Sequence, residues 1–116
     1  MHNYPEPKQF LFVPDLINVM GEYGGLTLEV KNHTWKGDNW GYGQNSSKYK
    51  LTYYYKEYID MLIIYMKRGF SAAIYTQTTD VELEMNGLIT YDRKEIKVLE
   101  NEIKNANKKI IESLKE

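Results

Sequence analysis

Apolar positions along the chain come in two patterns, short unbroken runs and longer stripes spaced by three and four residues, and each pattern predicts a different element. The run Leu16-Ile17-Asn18-Val19-Met20 stops at Gly21-Glu22-Tyr23-Gly24-Gly25. It predicts a brief buried strand over residues 16–20, with Glu22 just past its carboxyl end on a flexible backbone. Residues 24–47 are rich in Gly, Asn, Thr and Trp without periodicity, which predicts a long loop, and loops of that length are usually functional. Helical spacing then takes over: Leu51, Tyr55, Tyr58, Ile59, Leu62 and Met66 share one stripe, with Ser46 or Ser47 as cap and Gly69 as stop. Tyr53 and Tyr54 lie on the same helix, and the tyrosines there read as packing rather than as a binding face.

A second strand is expected over residues 71–77, where Ser-Ala-Ala-Ile-Tyr-Thr-Gln combines small and β-branched side chains. Residues 80–93 read as irregular, with Asn86-Gly87 as a turn and Asp92 as the cap of a final helix beginning near Lys94. In that helix Ile96, Leu99, Ile103, Ala106 and Ile110 recur at spacings of three and four; the stripe is too short for a coiled-coil seam and suits a helix covering a sheet. The opening His2-Asn3-Tyr4-Pro5-Glu6-Pro7 is extended or turn-like, because each proline disfavours helix at the residue before it. Taken by itself it is expected to be a solvated chain end.

The order is strand, long loop, helix, strand, loop, helix: two consecutive β/α units of the α/β class, with parallel strands, in one domain spanning residues 1–116. Two units neither close a sheet nor cover both of its faces, so further sequence, self-association or a rearranged packing is expected to bury what they leave open.

Composition narrows the function classes. With 15 basic and 16 acidic residues spread along the chain there is no electrostatic footprint for nucleic acid or an anionic membrane. No apolar run approaches the length of a membrane span. Cysteine is absent, which excludes a disulfide framework or a thiolate zinc site and leaves the compartment open. Asp80 and Glu82 beside His2 or His33 lack the tight spacing of a metal site, so none is expected. Aromatic rings are mostly tyrosine, 11 against 3 Phe and 2 Trp, a mixture of apolar faces and hydrogen-bonding tips that suits sugars and half-buried surfaces alike.

Three motifs in order carry a resemblance. Gly21-Glu22-Tyr23-Gly24-Gly25, followed by His33-Thr34-Trp35 and Trp40-Gly41-Tyr42, resembles the seventh unit of the (β/α) barrel of glycoside hydrolase family 2. The stretch from Gly69-Phe70-Ser71 through Thr78-Thr79-Asp80-Val81-Glu82, then Asn86-Gly87-Leu88 and Tyr91-Asp92-Arg93, is similar to the eighth strand and following loop of a bacterial β-galactosidase-like branch, and His2-Asn3-Tyr4-Pro5 to the end of the sixth strand. The resemblance implies a fragment of a TIM barrel, its last two β/α units, and a retaining β-glycosidase that works without a cofactor through a covalent glycosyl-enzyme. That chemistry uses two carboxyl groups about 5–5.5 Å apart.

By position in the motif Glu22 matches the nucleophile, and Tyr4 the tyrosine that orients it. His2, Trp35, Trp40, Gln77, Asp80 and Glu82 match places from which a carbohydrate substrate could be bound. The family's acid/base residue sits at the fourth strand, to which no part of the chain corresponds, so the chain alone is expected to be inactive. Trp35 and Trp40 serve equally well as packing that pins the long loop. The competing expectation is a non-catalytic carbohydrate-binding or oligomerising module.

Overall fold

The computed structural model describes residues 1–37, 39–45 and 47–115. Its elements follow in the order β1 (Asn18–Gly24), β2 (Leu26–Thr27), β3 (Tyr42–Gln44), α1 (Lys48–Lys67), β4 (Phe70–Thr76) and α2 (Glu100–Ser113). β1 pairs in parallel with β4, and β2 with β3. The α/β class and parallel pairing expected from the sequence are present, on two small sheets. Among the described residues no helix is long and apolar enough to cross a membrane.

The first strand begins later than expected. Leu16 and Ile17 are 66% and 81% exposed, because a turn precedes them and Asn18 clasps it. The Asn18 amide oxygen accepts from Val13 N at 3.1 Å, and its nitrogen donates to the carbonyls of Val13 and Leu16 at 2.9 and 2.8 Å. Pairing therefore starts at Asn18 and runs through Glu22 to Gly24, so Glu22 lies within the strand. The chain end is also not a solvated segment. Gly21 N donates to Met1 O at 2.6 Å, Asn3 N to Glu22 O at 3.0 Å and Gly24 N to Pro5 O at 2.7 Å, so residues 1–5 run parallel along the edge of β1 that β4 leaves open. These backbone groups satisfy one another, which is what orders the end.

One face of this layer is covered by α1. Met20 and Tyr23 from β1 pack against Tyr55, Tyr58, Ile59 and Leu62 of the helix, all buried, and Tyr23 meets Tyr58 and Tyr75 edge-on at 6.3 and 5.4 Å between ring centres. Tyr53, by contrast, is 57% exposed and does not belong to the core. α1 starts at the Ser47 cap, whose hydroxyl accepts from Lys50 N at 3.2 Å; Ser46 lies outside the described residues.

Met20 and Tyr23 are three residues apart, yet both face the helix, which strict alternation along a strand forbids. Opposite them Ala73 and Tyr75 are two apart, and the register shifts between Met20 and Tyr23. An extra residue is thus bulged out of β1 at Gly21-Glu22, and the amides of both residues point at the same carbonyl, Met1 O, at 2.6 and 3.4 Å. The bulge turns Tyr23 into the core and Glu22 out of it.

The final helix begins at Glu100, not Lys94. Asp92 caps a turn instead: its Oδ1 accepts from Lys94 N at 3.1 Å and from the Thr90 hydroxyl at 2.7 Å, and Arg93 takes a left-handed φ of 60°. Residues 88–97 close back on themselves, with Ile89 bridging antiparallel to Ile96, so Ile96 falls outside the helical stripe. α2 then packs on α1, where the Tyr55 hydroxyl donates to Asn107 Oδ1 at 2.8 Å and Thr52 Oγ1 accepts from Leu99 N at 2.9 Å.

The loop after β4 is held by a buried ion pair. Lys97 Nζ donates to Asp80 Oδ1 at 2.7 Å and to Met85 O at 3.0 Å, and the same Asp80 oxygen accepts from Gly87 N at 2.7 Å. Burial pushes the Asp80 carboxyl up and the Lys97 amine down, and their mutual attraction opposes both shifts. A Cβ at Gly87 would lie 2.2 Å from Asp80 N, so only glycine passes there. Lys97→Met should destabilise the chain by about 3–5 kcal/mol, because it leaves Asp80 buried without its cation, whereas Lys97→Met with Asp80→Asn should cost less. Urea unfolding reads both, and a loss below about 1 kcal/mol for the single variant would show that the pair does not hold the loop.

Candidate functional site

The bulge leaves the Glu22 side chain 42% exposed on the sheet face away from α1. The Tyr4 hydroxyl donates a hydrogen bond to Glu22 Oε2, and His2 Nδ1 stands 3.4 Å from the same oxygen. Among the described residues nothing donates to Glu22 Oε1. Burial, and then the hydrogen bond to Glu22, hold the Tyr4 phenol above the ordinary tyrosine range. Tyr4 therefore remains a proton donor to Glu22 across neutral pH. The Thr76 side chain at the end of β4 partly offsets that rise.

Behind Tyr4 stands a row of rings. Tyr42 stacks on Tyr4 with ring centres 4.5 Å apart and planes 5° from parallel, and Trp40 meets Tyr42 edge-on at 6.1 Å and 82°. Trp40 and Tyr42 are 50% and 41% exposed. The row is set by backbone: Tyr42 N donates to Gly25 O at 2.9 Å, Trp40 N to Leu83 O at 2.7 Å and Met85 N to Trp40 O at 2.8 Å. Gly25, with φ of +65°, lets the rings approach, since a Cβ there would fall 2.6 Å from Tyr42 Cδ2 and 3.0 Å from Tyr4 Cδ1.

The other residues singled out in the sequence are placed differently. Trp35 is 47% exposed and meets Tyr91 edge-on at 5.3 Å, so its ring joins a second loop and not the row at Tyr4. Gln77 Nε2 donates to Asn86 Oδ1 at 2.7 Å, and Asn86 in turn to Glu84 Oε1 at 2.8 Å, which ties its amide into the loop. Asp80 is buried against Lys97 and Gly87, so its carboxylate is engaged inside the protein and not turned to a ligand. Glu82 is exposed at the tip of the turn closed by Val81 and Glu84, with φ of +50°.

Glu22, Tyr4 and His2 thus come together directly and Trp40 joins them through Tyr42. Tyr42 and Thr76 are not among the site residues the sequence suggests: Tyr42 sits in the stretch read as a long loop and Thr76 in the one read as a strand, and nothing in their spacing signals a shared neighbour. Among the described residues no three His, Asp or Glu side chains converge as a metal site. No protein-family model matches the chain, and no curated protein does.

The long loop has a second anchor. His33 Nδ1 lies 2.7 Å from Asp92 Oδ2, and hydrogen bonds from Thr90, His33 and Lys94 N hold the Asp92 carboxyl down to about 2. A depressed carboxylate contributes stability that is present above its unfolded pKa, near 4, and lost as pH falls through the folded value. The anchor should therefore persist at pH 4 and open on acidification through about 2. Histidine ring NMR should show the His33 signal lose its folded environment over that window. Loss already complete at pH 4, or an identical profile in Asp92→Asn, would contradict the assignment.

Proposed function

We propose that the chain supplies the nucleophile-bearing part of a retaining β-glycosidase of the glycoside hydrolase family 2 type, with Glu22 as nucleophile. The observation that carries the reading is a half-exposed carboxylate with one oxygen bonded by a neutral phenol and the other open. In the reaction Glu22 Oε1 attacks the anomeric carbon, and the glycosidic C–O bond breaks as the leaving oxygen takes a proton from a carboxylic acid elsewhere in the enzyme. Water, deprotonated by that same group, then releases the sugar from Glu22. Tyr4 fixes the direction of the carboxylate by donating to Oε2.

The barrel reading is supported by three parallel segments in chain order, residues 1–5, β1 and β4, with α1 packed on one face. Ile74 alternates with the helix-facing Ala73 and Tyr75, so it shares Glu22's face, and it is 55% exposed. An apolar residue open on that face suits one covered by further strands or, in the chain alone, by a second copy. The half-exposed rings of Trp35, Trp40 and Tyr42 favour the second reading, a carbohydrate-binding module without a reaction, since exposed rings stack on pyranose faces.

In a polypeptide that also carries the acid, a 2-deoxy-2-fluoroglycosyl inactivator should become attached to Glu22, and Glu22→Gln should lower turnover by several orders of magnitude. A label on another residue would remove the nucleophile assignment. Saturable binding of galactosides by the chain, lost in Trp35→Ala or Trp40→Ala and unchanged in Glu22→Gln, would favour the binding module.

A further inference from the structure

Tyr42 is accounted for neither by the core nor by the hydrogen bonds at Glu22. Its ring is 41% exposed, so burial does not explain its place, yet one face lies flat against Tyr4 at 4.5 Å and 5°. Trp40 closes on its edge at 82°, and the absent side chain at Gly25 is what allows the contact. Its backbone is fixed by β3, paired with β2 directly after β1, in the register Leu26 to Tyr42.

We infer that Tyr42 is a positioning residue for Glu22, acting through Tyr4: the stacked ring fixes the plane of the Tyr4 phenol and hence the line along which its hydroxyl meets the carboxylate. Rotation about Cβ–Cγ leaves the phenol oxygen on the axis, so a hydrogen bond at the tip does not set the plane of the ring, and the phenol O–H prefers to lie in that plane. A flat ring against its face sets the plane. The inference rests on the reading of Glu22 as nucleophile for its consequence, and it links the pairing of β3 with β2 to the direction of that carboxylate. The contact uses the ring and not the Tyr42 hydroxyl, for which phenylalanine is the conservative replacement.

The test is a titration of the chain labelled with ¹³C at tyrosine Cζ, in which Tyr4 is assigned by its disappearance in Tyr4→Phe. In wild type a ring-to-ring nuclear Overhauser effect between Tyr4 and Tyr42 is expected. Tyr42→Phe should lower the Tyr4 titration only slightly, since it removes the smallest of the contributions that hold it up, while Tyr42→Leu should move it much further toward that of a free tyrosine, as burial and the bond to Glu22 are both weakened. Tyr23 and Tyr75, buried on the opposite face, report in the same spectra that the fold is intact. An unmoved Tyr4 titration in Tyr42→Leu, or an equal shift in Tyr42→Phe, would overturn the inference. So would the absence of the wild-type ring contact, even if Tyr42→Leu failed to fold. None of these readings needs turnover, so the positioning role can fail while the nucleophile assignment survives, and a glycosyl label away from Glu22 would do the reverse.

Discussion

β1 has to bury tyrosine and expose glutamate within a few residues, and a regular strand cannot do both. With alternation from Met20 onward, Glu22 would follow Met20 into the space under α1 and Tyr23 would turn outward. A carboxylate there would lose its water among Tyr58, Leu62 and Ile59, at a cost that no partner on that face offsets. The extra residue at Gly21-Glu22 resolves the conflict by resetting the phase, and its doubled amides remain satisfied at Met1 O. A matching shift between Asn18 and Val19, where Ser71 is the extra residue on β4, keeps Phe70, Ala73 and Tyr75 on the helix side. Bulges of this kind re-aim a side chain without changing what the strand pairs with.

From that constraint the rest of the site follows by short steps. Because both Gly21 and Glu22 donate toward Met1, the chain end is drawn alongside β1, and the parallel register puts Tyr4 within reach of Glu22. Because β1 ends in Gly24-Gly25, the chain can turn at once into β2, whose partner β3 delivers Tyr42. The loop after β4 closes over Lys97 and Asp80 and presents the carbonyl of Leu83 and the amide of Met85 to Trp40. A buried ion pair is weak as a source of stability, but it specifies one loop conformation, and here that conformation holds an aromatic residue of a different loop.

Periodic elements were the legible part of the sequence. The stripe of Leu51, Tyr55, Tyr58, Ile59 and Leu62 is buried as its spacing implies, and the small and β-branched run after Gly69 is β4. Non-local effects were not legible. Leu16 and Ile17 look like strand, but Asn18 satisfies the preceding turn and moves the start of pairing. Asp92 looks like a helix cap, but Thr90 and Arg93 make it the corner of a turn. Asp80 looks like a free polar residue at a strand end, because its partner is a lysine 17 positions away. The motif singles out Glu22, while the outward direction of its side chain depends on a bulge that hydrophobic spacing cannot register. Tyr4 stands out by its motif alone, and its contact with Glu22 depends on the pairing of a terminal segment that, taken by itself, is expected to stay in solvent.

The phase reset in β1 is most directly tested by nuclear Overhauser contacts in the chain. With the bulge in place the Glu22 methylene protons should meet the Tyr4 ring and none of the α1 rings, while the Tyr23 ring should meet Tyr58 and Tyr75. Contacts from the Glu22 methylenes to Tyr58, with Tyr23 turned toward the chain end, would mean that β1 is regular and that the site is not built as described.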